Sequence, residues 1–151
     1  MPLVLRQPTL GELQKLSELC LRSKAVWGYD QAFIEAFRTE LTLLPEDLIA
    51  TRIVVAEDDN SLAGVAQVRV TDAEADLLKL FIEPSRLRNG IGRILFRWAT
   101  EQARQMGANK LFIVADPDAA PFYRRMGALD VGIAPSGSIP ERMLPKLALE
   151  L

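Results

Sequence analysis

Apolar positions along this chain change period several times, and each change marks a predicted element. Leu10, Leu13, Leu16, Cys20 and Leu21, with Ser17 on the same face, recur at helical spacing and predict a first helix running to about Ser23. Thr9 followed three residues later by Glu12 has the form of a capping box at its start. A short strand over Pro2–Arg6 precedes it, and a loop with Trp27, Gly28 and Tyr29 follows. Asp30 then caps a second helix with Phe33, Ile34, Phe37 and Leu41 as its stripe, ended by Pro45.

The period then falls toward two. Thr51–Glu57 is short and β-branched, Asp58–Ser61 reads as a turn, and Ala66, Val68 and Val70 alternate with polar neighbours, so the pair predicts a hairpin. Asp76–Ile82 is apolar at most positions, as a strand in the middle of a sheet would be, and Pro84 ends it. Helical spacing returns with Ile91, Ile94, Leu95, Trp98, Ala99 and Met106 and stops at Gly107. Leu111–Ala115 is an apolar strand, and a short helix opens near Pro117, carries Phe122 and Tyr123 and closes at Gly127. Ala128–Ile133 and Met143–Leu149 are two final strands, joined by the loop Ala134–Glu141. The order β-α-α-β-β-β-α-β-α-β-β predicts an α/β (α+β) mixed sheet with helices on its faces.

Composition narrows the chemistry. The 151 residues suit a single domain over 1–151, with neither repeat nor linker. Lysines and arginines number 18 against 20 acidic residues, a net charge of −2 that predicts no nucleic-acid partner. One cysteine, Cys20, and no histidine exclude an intrachain disulfide, a Cys/His metal site and any histidine-activated nucleophile. Cys20 itself fits a small buried apolar residue on the first helix. No signal-peptide pattern and no span of about 20 apolar residues are visible, which predicts no membrane partner and a cytoplasmic setting.

The informative segment is Leu78–Leu95, where a buried strand passes through a glycine turn into an amphipathic helix. The first N–H groups of a helix lack internal partners and carry the positive end of its dipole, so such a turn makes an anion site. Gly90 and Gly92 permit close backbone approach, and Arg88 and Arg93 add charge. No Gly-Lys-Ser/Thr follows, and Leu95 stands where a dinucleotide fingerprint needs a small residue. On these residues alone, a tight turn with surface arginines fits equally well.

A second motif separates those readings. With Asp116-Pro-Asp-Ala-Ala-Pro-Phe-Tyr-Arg-Arg-Met-Gly-Ala128 downstream, the chain resembles the GNAT superfamily of acetyl-CoA-dependent N-acetyltransferases. That family's Q/R-x-x-G-x-G/A signature falls on Leu87–Gly92, with Leu87 in the Gln/Arg place, and its N-x-x-A-x-x-F-Y-x-x-x-G-F segment falls on Asp116–Ala128. The likeness covers nearly the whole chain and implies acetyl-CoA as cofactor. It implies that Leu80, Phe81 and Ile82 run beside the pantetheine arm and that Arg88, Asn89, Gly90, Ile91, Gly92 and Arg93 take the pyrophosphate. Asp116 would also face the cofactor, from a position where the family often has Asn.

Tyr123 matches the tyrosine that protonates the departing thiolate in many relatives, a reasonable role for a phenol of pKa near 10; the alternative is a core aromatic. Asp76 falls where several relatives place a catalytic base, with Glu74 and Glu83 near the same strand's ends. On the acceptor side the resemblance points to Trp27, Tyr29 and Arg142, aromatic and cationic groups suited to an amine or a carboxylate. A small-molecule amine is the expected acceptor. A protein or peptide amine, and a module that binds acyl-CoA without transfer, stay open, as does a homodimer.

Overall fold

In the computed structural model, which describes residues 3–151, the chain forms a seven-stranded sheet. Its strands are β1 (Leu3–Arg6), β2 (Arg52–Asp58), β3 (Ser61–Thr71), β4 (Glu74–Ile82), β5 (Lys110–Val114), β6 (Leu129–Pro135) and β7 (Met143–Glu150). The helices are α1 (Leu13–Ala25), α2 (Gln31–Leu41), α3 (Asp47–Ala50), α4 (Ile91–Gln105) and α5 (Ala120–Arg125). Spatial order is β1-β2-β3-β4-β5-β7-β6, so the strand predicted to be central, β4, is the middle one. The β4–β5 pair is parallel and the other pairs are antiparallel. Pro2, included in the predicted first strand, lies outside the described residues.

The apolar run of β2 follows from burial on both faces. Ile53 and Val55 pack with α1 and α2, whereas Val54 and Ala56 pack with Ile91 and Leu95 of α4. A strand covered on both sides needs apolar residues at every position. At the β2–β3 turn, Asp59 and Asn60 both take positive φ, 54° and 65°, the two-residue turn that matches strand twist.

Several boundaries move. The Thr9–Glu12 signal opens a 3₁₀ turn over Leu10–Glu12, in which Thr9 N–H donates to Glu12 Oε1 at 2.9 Å, before α1 begins. Glu12 also holds Arg6 at 2.8 Å, tying the 3₁₀ turn to β1, so the carboxylate serves two purposes there. The short α3 went unanticipated, because four residues carry too little periodicity to read. On α4 the buried stripe is Ile91, Leu95, Phe96, Ala99, Thr100 and Ala103, and Ile94, expected on it, is 38% exposed. Steps of four along 91, 95, 99 and 103 centre the covered face, leaving 94 at its margin. Among the described residues no helix is long and apolar enough to cross a membrane.

Candidate active site

Two local features of β4 open a cleft in the middle of the sheet. Leu77 pairs with Val68 and Lys79 with Gln67, which leaves Leu78 as an extra residue without a partner. Such a bulge bends a strand and increases its twist. On the other side, β4 pairs with β5 only from Glu74↔Lys110 to Asp76↔Phe112, while β5 continues to pair with β7 as far as Val114. Beyond Asp76 the parallel neighbours therefore separate. The resulting cleft, of about 1080 Å³, is lined by Leu77–Ile82 of β4 and by 112–116 at the end of β5. Of the cofactor residues expected on β4, Leu80, Phe81 and Ile82 all line it.

The glycine turn forms one wall of this cleft. Gly90 is the residue before α4 and has φ 80°, and Arg88 also sits in the left-handed region at φ 68°. A non-glycine residue there costs about 1–3 kcal/mol and persists where its surroundings over-determine it. The helical ladder starts with Ile94 N–H on the Gly90 carbonyl at 3.2 Å, and no side chain caps the helix. The N–H groups of Ile91, Gly92 and Arg93 therefore lack helical partners. Arg88, Gly90, Ile91, Gly92 and Arg93 line the cleft, whereas Asn89 does not. Arg86, beside the absent signature glutamine, is held by Asp58 at 3.3 Å.

Tyr123 projects from α5 into the same cleft, 6% exposed, with Phe96 and Phe122 as ring neighbours. Burial pushes its phenol above the ordinary tyrosine range, with no charged partner to offset it. Asp76 also lines the cleft but is half-exposed and lies 3.4 Å from Arg69, its cross-strand neighbour. Glu74 is exposed, and Glu83 pairs with Arg22 at 2.6 Å. Asp76 is thus the one of the three strand-end carboxylates considered from sequence that faces the cleft.

Asp116 is joined to residues expected on the acceptor side. Its carboxylate accepts a short hydrogen bond from the Tyr29 hydroxyl, lies 3.3 Å from Lys24 Nζ and is 3.8 Å from Arg142. Arg142 in turn donates to the Tyr29 oxygen and stacks over the Tyr29 and Phe33 rings at 5.2 and 5.6 Å. Burial alone would raise the Asp116 pKa, but the bonds from Tyr29 and Asp118 N–H and the Lys24 charge outweigh it and pull it below the usual carboxylate range. Asp116 and Trp27 line the cleft, whereas Tyr29 and Arg142 stand behind Asp116. This network ties the ends of α1, α2 and β5 to the β6–β7 loop.

Sequence reasoning missed Lys24, Lys79 and Gln67. Lys79 and Gln67 are 8% and 1% exposed, and Lys79 Nζ donates to Gln67 Oε1 at 3.1 Å. A lysine inside the apolar run Leu77–Ile82 was the available signal, since a charge on a doubly covered strand needs a reason to be there.

Comparison with known proteins gives the family and the fold. The acetyltransferase (GNAT) family pattern matches residues 16–128. The chain belongs to that family. No curated protein matches it by sequence. Solved structures with the same fold include the PaiA N-acetyltransferase from Thermoplasma acidophilum in complex with coenzyme A, at 17% identity and TM-score 0.80, each chain covered completely. A GCN5-related N-acetyltransferase from Rhodopseudomonas palustris aligns at 17% identity and TM-score 0.83 over 98% of this chain and 95% of that one. YncA from Salmonella typhimurium, solved with acetyl-CoA, aligns at 15% identity and TM-score 0.70 over 99% and 94%. Within the GNAT match fall β4, the glycine turn, α4, β5 and α5, so the family pattern spans most of the cleft lining, with Pro135, Gly137 and Leu144 outside it.

Proposed function

We propose that this GNAT protein is a single N-acetyltransferase domain that binds acetyl-CoA in the cleft between β4 and β5 and transfers the acetyl group to a primary amine of a small molecule. The observation that carries the reading is the cleft itself, opened by the Leu78 bulge and ending at the uncapped start of α4. The residues present suit the cofactor. Free N–H groups at 91–93, with Arg88 and Arg93 beside them, match a pyrophosphate, and the edge of β4 released from β5 can pair with amides of the pantetheine arm. Asn89 would contribute only through its backbone. Bound there, acetyl-CoA supplies a thioester carbonyl as the electrophile.

In this reading Tyr123 gives its proton to the leaving sulfur, a role supported by its place in the cleft and by burial that keeps it neutral. The amine must lose a proton as the new C–N bond forms, and Asp76, reached through water, is the candidate acceptor on the same cleft. Trp27 offers the acceptor an aromatic wall, while Asp116, Tyr29 and Arg142 shape the pocket from behind. Thr42 and Leu44 of the α2–α3 loop line the cleft with Trp27 and β4, a place for a small acceptor in this reading. Incubating the protein with acetyl-CoA and panels of amines, amino acids and peptides, with thiol release as the readout, tests the reading. Turnover with small amines supports it, and turnover confined to peptides assigns the protein class instead. Tight acetyl-CoA binding without transfer to any amine would leave a binding module.

A further inference from the structure

The cleft wall on the α1–α2 side of the sheet holds a buried cation whose hydrogen-bond partner is neutral. Lys79 is 8% exposed, lines the cleft and has the neutral Gln67 as its hydrogen-bond partner. Gln67 is itself fixed, its Nε2 donating to Thr51 Oγ1 at 3.1 Å, so the carbonyl that receives Lys79 cannot turn away freely. An ammonium has three donors, and one is used. Every element packed around Lys79 contributes a group. Cys20 on α1 is a buried thiol whose pKa burial pushes up to about 12, so it stays uncharged. Asp47 on α3, which accepts from Leu44 N–H at 2.8 Å, and Glu40 on α2 both act on Lys79 from a distance, and neither forms an ion pair with it. Farther along, Lys24 on the wall and Arg142 behind it share the single carboxylate of Asp116, and Arg142 Nη1 is buried without a partner.

A buried cation without a counter-ion is costly, and burial lowers the Lys79 pKa accordingly. A ligand that brings the missing anion would recover that cost. We propose that the acceptor amine also bears a carboxylate, and that Lys79, held by Gln67 and Thr51, pairs with this carboxylate in the cleft. The acceptor class is then the amino acids and related aminocarboxylates. Glu40, which lines the same part of the cleft, supplies the opposite charge for the incoming ammonium. This inference rests on the proposed acetyl transfer to a small amine.

The test pairs free amino acids with their methyl esters and primary amides as acceptors, with plain alkylamines alongside. It follows thiol release from acetyl-CoA for the wild type and for Lys79→Met. Free acids should show the higher kcat/KM, and Lys79→Met should raise KM for them by roughly thirtyfold, the scale of removing one partner from a buried charge pair. The variant should leave KM for an ester and the acetyl-CoA Kd, measured by calorimetry, unchanged. If circular dichroism shows that Lys79→Met does not fold, the wild-type ratio of acid to ester decides alone. Esters, amides or alkylamines used as well as acids, or an acid preference that Lys79→Met leaves intact, overturn the proposal. Acetyl-CoA binding with no turnover of any of these acceptors overturns the transfer to small amines, and this inference with it.

Discussion

Tyr123 and Asp76, offered by the sequence as acid and as base, stand in contrasting environments. Tyr123 sits on an apolar face with Phe96 and Phe122, and its raised pKa keeps the proton on the phenol at neutral pH. Tyr123→Phe should therefore lower kcat by about a hundredfold, the usual scale for a positioned acid, while the acetyl-CoA Kd stays unchanged. Stopped-flow or steady-state thiol release together with calorimetry reads both, and equal turnover would return Tyr123 to the core. Because the phenol ionises only above the ordinary tyrosine range, the alkaline limb of the wild-type profile should not be its titration. Asp76 is instead half-exposed and lies beside Arg69. Asp76→Asn should lower kcat/KM by about a hundredfold, and equal turnover would assign proton removal to another group. At this scale the sequence names residue types and positions but leaves their surroundings unseen. Tyr29, Arg142 and Asp116 lay 87 and 113 residues apart in chain order before folding joined them.

Helix α4 and strand β3 meet at a point where one methyl group matters. A Cβ added at Gly64 would lie 2.9 Å from Leu95 Cδ1 and 3.1 Å from the Phe81 carbonyl oxygen. Leu95 can shift, but the backbone of β4 cannot move without disturbing the cleft edge. Gly64→Ala should destabilise the protein by about 1–3 kcal/mol, the cost of overpacking. It should also weaken coenzyme A binding, because α4 carries the free N–H groups and β4 the exposed edge. Denaturant unfolding and calorimetry on the same variant would show whether the two effects travel together. Element type was legible for the longer elements, since long periodic runs such as 91–105 and doubly buried strands such as 52–58 declare themselves. The 3₁₀ turn at Leu10–Glu12 and the four-residue α3 were not, because neither is long enough to show a period.

Across the whole molecule, β4 and β5 belong to one sheet yet part beyond Asp76, which leaves backbone groups on the cleft edge for a ligand to satisfy. Coenzyme A at about 100 times its Kd should stabilise the fold by about 2.7 kcal/mol and raise Tm by roughly 5 to 10 °C. Slowed hydrogen exchange should appear at 78–82 and 90–93. A thermal shift without protection at those residues would place the ligand elsewhere. Sequence by itself determined the longer helices and strands, the glycine turn before a helix and the two spaced motifs, because local periodicity and turn chemistry reside in neighbouring residues. It also displayed a lysine in the run Leu77–Ile82, though not its meaning. Only the tertiary structure decided that β4 and β5 separate, that Asp116 pairs with Lys24 and Tyr29, and that Lys79 is buried beside Gln67 without a carboxylate partner. Strand register, shared burial and charge balance are properties of segments distant in the chain, and they exist only once those segments pack.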